Sequence, residues 1–169
     1  MKKISIAIVS VFLAFNVLAC CCSIPNVNVN LGPTVEVGPL REKEESVPLE
    51  DVDLVEVDLL FAVGELEIAA GAGDQLLAGT FRYDVEELEP TVSYKDGDLS
   101  IEQGDDDEAW KWPGDEIRNE WTLAFSPDVP LKIDLKAGAG AGELDLTGLQ
   151  IETLDVDIGA GSFDLRFDE

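Results

Sequence analysis

Residues 131–165 read LKIDLKAGAGAGELDLTGLQIETLDVDIGAGSFDL, and the stretch repeats itself. A shift of nineteen lays Leu135 on Leu154, Ala137 on Val156, Gly140 on Gly159, Gly142 on Gly161, Leu144 on Phe163 and Asp145 on Asp164. An upstream copy lacks the long glycine run. There Val57, Leu59, Phe61, Gly64, Leu66, Glu67 and Ile68 match Leu154, Val156, Ile158, Gly161, Phe163, Asp164 and Leu165. In each copy apolar residues alternate before the glycine and again after it, in opposite phase. Period two puts successive side chains on opposite faces of a strand. A phase inversion at glycine therefore re-aims the inward face at a bend, which a residue without Cβ permits. The spacing predicts strand, glycine corner, strand, with corners at Gly64, Gly142 and Gly161. A unit of about twenty residues cannot bury its own apolar face and must stack on its neighbours. The expected fold class is all-β: a β-solenoid of stacked short strands with glycine corners.

At the nineteen-residue register Asp145 and Asp164 stand side by side on the outward face, about 4.8 Å apart. Two such charges repel by about 0.9 kcal/mol in water. Burial of Leu144, Leu146, Phe163 and Leu165 contributes about 1.5–3 kcal/mol each, so the stack tolerates an acidic ladder without a metal ion.

Upstream of the repeats lies a β part that contains a hairpin. Asp96-Gly97 separates the runs Val92, Tyr94 and Leu99, Ile101, and such a dipeptide suits a type I′ turn. Trp121, Leu123 and Phe125 alternate as a further strand. Residues 84–89 are acidic, end at Pro90, and read as a loop or one helical turn. No long amphipathic helix is predicted anywhere.

The chain begins with Lys2-Lys3 and an apolar run to Ala19, short for a membrane span and suited to a secretion signal. The run ends in Val17-Leu18-Ala19-Cys20, which resembles the lipobox of bacterial lipoproteins. The resemblance implies cleavage before Cys20 and a lipid on its thiol, and so an extracytoplasmic protein held to the membrane by its anchor. Cys20, Cys21 and Cys22 are the only cysteines, so no disulfide framework holds the domain. Residues 20–48 carry Pro25, Pro33, Pro39 and Pro48 and read as an extended linker after the signal at 1–19. The domain then divides into a β part at 49–130 and the glycine-cornered repeats at 131–169. The chain ends directly after a strand, and an uncapped solenoid presents an open edge. Either Asp168 and Glu169 repel intruders, or the repeats are truncated.

Eleven basic against 36 acidic residues give a formal charge of −25. That balance excludes nucleic acid as a partner, because such affinity comes from neutralising phosphates with Lys and Arg. Histidine is absent, which removes Ser-His-Asp and Cys-His machinery and the usual zinc sites. No Gly-Lys-Ser/Thr follows the glycine runs, so they do not cradle phosphate. With so many acids some carboxylate pair falls within glycosidase range in any fold, and that signal is empty. No enzyme activity and no cofactor are expected. Asp105, Asp106, Asp107 and Glu108 are hard oxygen donors and the only calcium candidates, though their spacing fits no EF-hand loop. Trp110 and Trp112 are candidate partner contacts, since tryptophan is enriched at interfaces. The alternative is that they and Trp121 cap one end of the solenoid.

The run Trp121-x-Leu123-x-Phe125-x-Pro127-x-Val129-Pro130-Leu131, then Gly-Ala-Gly-Glu-Leu-Asp-Leu-Thr-Gly-Leu and a second Gly-Ala-Gly, resembles the toast-rack domain of bacterial envelope proteins. That group is similar to the C-terminal domain of regulators responding to cell-wall-active antibiotics and to candidate adhesins. The resemblance implies a β-solenoid outside the membrane with no catalytic residues to carry over, and its pattern runs on for further repeats. Together the features suggest a non-enzymatic, membrane-anchored envelope lipoprotein. Its acidic solenoid would serve as an interaction, sensing or adhesive module, in envelope-stress response for example, with an envelope protein as partner. The alternative is a small-ligand binder for calcium or cell-wall glycan.

Overall fold

A computed structural model describes residues 36–103 and 117–167. All of them belong to one compact unit, Pro33–Glu169. Eight strands follow in chain order: β1 (Arg41–Pro48), β2 (Val55–Ala70), β3 (Gln75–Tyr83), β4 (Pro90–Lys95), β5 (Asp98–Gln103), β6 (Asn119–Phe125), β7 (Pro130–Asp145) and β8 (Gln150–Arg166). A single 3₁₀ turn, Glu86–Leu88, fills the acidic stretch before Pro90. The described residues hold no α-helix.

β2 is the axis. β7 runs parallel to it from Val55 to Ile68, and β8 runs parallel to β7. The other flank of β2 is shared: β5 pairs with Glu56–Leu60 and β6 with Glu65–Ala70, both parallel. β4 joins β5, β3 joins β6, and β1 joins β3, all antiparallel. The β4–β5 hairpin turns through Asp96 and Gly97, both at positive φ, as the Asp-Gly signal predicts. One end of the parallel stack is thus covered by the strands that precede β7 in the chain.

The repeats are long bent strands, each with one hydrogen-bonded ladder running through the bend. In β2 the buried residues are Val55, Val57, Leu59, Phe61 and Val63, then Leu66 and Ile68, so the phase inverts at Gly64. Inward residues from both arms meet in one core, except Val63, which packs with Tyr83, Val85 and Leu88 in a second cluster. At the centre of the main core Trp121 lies edge-on to Phe61 at 5.1 Å and to Phe81 at 5.3 Å. Trp121 is buried there, on the strand laid against the first strand of the parallel stack.

The register corrects the nineteen-residue period. Leu135 pairs with Val156, Gly140 with Gly161 and Leu144 with Leu165, an offset of twenty-one. A bulge between Leu131 and Lys132 takes up one residue, because Pro130 and Leu131 pair at an offset of twenty. Nineteen and twenty-one differ by an even number, so Leu135, Leu144, Leu154, Val156, Ile158 and Phe163 keep their predicted inward face. What changes is the neighbour. Asp145 pairs with Arg166, and the outward acidic row is Glu67, Glu143 and Asp164. Arg166 offsets that row by an ion pair with Glu143. The match of the upstream copy to β8 holds throughout: Val57, Ile133 and Leu154 share a row, as do Leu66, Gly142 and Phe163.

The corner of β7 is Gly140, not Gly142. Gly64, Gly140 and Gly161 pair in one row, all at positive φ. A Cβ on Gly161 would run into the carbonyl oxygen of Gly140, one on Gly140 into that of Gly64, and one on Gly64 into that of Asn119. The stacked backbones occupy the space a side chain needs. Gly142 has another task, since its missing side chain leaves room for the Phe163 ring, 2.5 Å from where its Cβ would be.

β1 corrects the linker, whose last eight residues are a strand. Sequence alternation is hidden there because both faces carry charge, as edge strands commonly do. Glu42 holds the Arg82 guanidinium at 2.7 Å, and Lys43 donates to the Pro90 carbonyl at 3.0 Å. Between β7 and β8 the chain turns on Asp145. The Thr147 hydroxyl and amide hold its carboxyl below the usual carboxylate range.

Two outcomes follow. Gly64 and Gly71 share φ +126°, but an added Cβ at Gly71 meets nothing within 4 Å. In urea unfolding, Gly64→Ala should therefore cost about 1–3 kcal/mol more than Gly71→Ala, the increment being overpacking alone. The depressed Asp145 value contributes stability above its unfolded value of 3.8 that fades as pH falls through the folded one. A carboxyl carbon titration should place Asp145 below 3.8, and Thr147→Val should move it back toward 3.8.

Candidate functional site

The shared flank of β2 leaves a gap. Pairing with β5 ends at Leu60 and pairing with β6 begins at Glu65. The backbone between them would lack partners on that side, and buried unpaired peptide groups are costly. Two buried amides close the gap. Gln103 Oε1 accepts from the amides of Ala62 at 2.8 Å and Val63 at 3.3 Å. Asn119 Nδ2 donates to the Val63 carbonyl. Both residues are almost fully buried, at 3% exposure.

A cleft of about 630 Å³ opens beside this junction, over the glycine row. Val63, Gly64, Asp84, Arg118, Asn119 and Gly140 are among its walls. Asp84 Oδ1 accepts from the Arg118 amide at 2.9 Å, and the Arg118 guanidinium lies 3.6 Å from Glu120. Asn119 Oδ1 has no protein partner. The arrangement supplies hydrogen bonds and one cation beside several acids. Among the described residues that line it there is no nucleophile paired with a base. Elsewhere, burial and then Glu89 push the Tyr83 phenol up, so it stays protonated near neutral pH.

Most residues nominated from the sequence lie outside the described residues: Cys20, Asp105, Asp106, Asp107, Glu108, Trp110 and Trp112. Among the described residues no group of three or more Asp, Glu, Cys or His side chains could hold a metal ion. Gln103 and Asn119 went unnoticed in the sequence. Their signal was present, because each extends an inward alternation, Leu99-Ile101-Gln103 and Asn119-Trp121-Leu123, with a polar residue where an apolar one is due.

The family profile described as the N-terminal domain of toast_rack, DUF2154, matches residues 36–169. The chain belongs to this family. Among solved structures, this toast-rack chain is similar to a candidate cell adhesion protein from Clostridium sporogenes, at 28% identity and TM-score 0.66. That match covers 73% of this chain and 59% of the other, so the toast-rack chain spans under two thirds of the Clostridium protein's length. A candidate adhesin from Parabacteroides distasonis is similar at 17% identity and TM-score 0.38, covering 75% of this chain and 56% of that one. No curated protein matches the chain.

Replacing Gln103 by Leu keeps the volume but leaves the Ala62 and Val63 amides without an acceptor. Gln103→Leu should cost about 1–3 kcal/mol in urea unfolding. Gln75→Leu, on an exposed pair with Asp74, should cost almost nothing.

Proposed function

We propose that the chain is a non-enzymatic envelope lipoprotein, anchored through Cys20, whose acidic β domain is an adhesive or protein-interaction module. The observation that carries the reading is membership of the toast-rack family, together with likeness at 28% identity to a candidate cell adhesion protein. The lipobox at Cys20 supports the anchor, and a linker of prolines and polar residues supports display away from the membrane. A role in sensing envelope stress belongs to the same reading. The envelope partner would contact the domain, with Trp110 and Trp112 in the contact.

The test has two arms. Cells expressing the full chain should incorporate radioactive palmitate into it and keep it with the membrane fraction, whereas Cys20→Ser should abolish both. Equal labelling of the variant would sink the anchor. A non-adherent bacterium displaying the domain should be retained severalfold better on envelope preparations than one displaying a scrambled sequence. Trp110→Ala with Trp112→Ala should reduce that retention. Equal retention of displayed and scrambled domains would sink the adhesive reading.

A further inference from the structure

The cleft beside the glycine row carries charges that the domain leaves unanswered. Its walls hold three carboxylates, Glu65, Asp84 and Glu120, against one guanidinium, Arg118. β2 and β6 set Glu65 directly opposite Glu120, and like charges so placed destabilise a strand pair. Arg118 lies 3.6 Å from Glu120. Arg82 also stands opposite Glu120, but Glu42 holds its guanidinium at 2.7 Å. Glu65 and Asp84 form no ion pair among the described residues.

Asn119 adds an acceptor to this wall. Its Nδ2 is used on the Val63 carbonyl, its Oδ1 has no partner, and the residue is 3% exposed. A buried amide oxygen without a donor destabilises the site that holds it. The polar wall therefore lacks hydrogen-bond donors that carry positive charge. The rest of the lining is apolar or bare. Leu40, Val63, Ile117 and Ala139 supply the apolar surface, and Gly64 and Gly140 supply backbone alone. A volume of about 630 Å³ suits a small organic group, since such sites run to roughly 300–1,000 Å³.

These features select among occupants. A carboxylate or phosphate would meet three like charges. A quaternary ammonium has no N–H for Asn119. A protonated primary amine brings three donors and a positive charge on one compact atom, and an aliphatic stem behind it covers apolar surface. Residues 104–116, which lie between β5 and β6 in the chain, carry six acids and one lysine, so their charge adds to that of the wall.

We propose that the cleft binds a primary ammonium group on an unbranched aliphatic stem. The ammonium sits among Glu65, Asp84 and Asn119, and the stem lies on Leu40, Val63 and Ile117. Two carriers offer that chemistry, a free aliphatic diamine and a lysyl side chain. The site stands apart from the adhesive reading, and its test needs neither the anchor at Cys20 nor the retention of displayed cells.

The full chain, labelled with nitrogen-15 and held in a zwitterionic detergent, is titrated with Nα-acetyl-lysine methylamide and separately with pentamethylenediamine. Amide resonances of Gly64, Arg118 and Gly140 should shift and saturate, and the tighter probe identifies the carrier. The lysine probe acetylated on both nitrogens, with the same stem and no charge, should bind at least about tenfold more weakly. Glu65→Gln with Asp84→Asn should weaken the charged lysine probe at least about fivefold. Asp84→Asn keeps an oxygen for the Arg118 amide, so the corner is retained. Asp74→Asn, on an exposed acid outside the cleft, should change nothing. Affinity should fall between about 50 and about 300 mM salt as the charges are screened. No saturable shift with either amine overturns the proposal, as does equal binding of the doubly acetylated probe or an equal loss on Asp74→Asn. Overhauser contacts from residues 104–113 to Gly64 or Gly140 in the free chain overturn it too, because the chain's own residues would then fill the cleft.

Discussion

The backbone contact at the glycine row governs the rest of the structure. Gly64, Gly140 and Gly161 pair across three parallel strands, and each leaves no room for a side chain on the one stacked against it. The bends are therefore held in one line. Once they are aligned, both arms of every repeat turn their apolar rows toward the same core, and β2, β7 and β8 stack in register. The hydrophobic gain is large but indifferent to register shifts of two residues. The steric contact is what selects among them.

The same bend creates the irregular part of the domain. A strand that changes direction outruns a single straight neighbour, so β2 passes from β5 to β6 and leaves peptide groups exposed between them. Gln103 and Asn119 satisfy them from the ends of those two strands, and the cleft lies beside that junction. Both amides are structural in this position. The cleft offers the polar groups of Asp84, Arg118 and Asn119 beside the glycine row.

Electrostatics act across strands and depend on register. Outward acids stack in rows, Asp58 with Asp134 and Asp155, and Glu67 with Glu143 and Asp164. The few cations stand where a row would otherwise repel: Lys132 beside Glu56, Lys136 beside Asp134, Arg166 beside Glu143. β8 adds Asp155 and Asp164 to these two rows.

Much of this was legible in the amino-acid order. Period-two alternation identified β2, β6, β7 and β8 and the inward residues of each, because facing depends only on local geometry. The Asp96-Gly97 turn was legible because two successive residues at positive φ suit few sequences. The family was legible in the run from Trp121 onward. The charged strand β1 was hidden, since its stability comes from pairing with β3 and from cross-strand ion pairs rather than from an apolar face. The stacking offset was hidden too. A shift of nineteen matches letters as well as a shift of twenty-one does, and only the packed backbones distinguish them. By itself the sequence determined which residues face inward and that the chain must bend at glycine. Tertiary structure decided which glycine bends, which acids stand together, and that buried amides span the break in pairing. Those choices depend on atoms far apart along the chain competing for the same few ångströms.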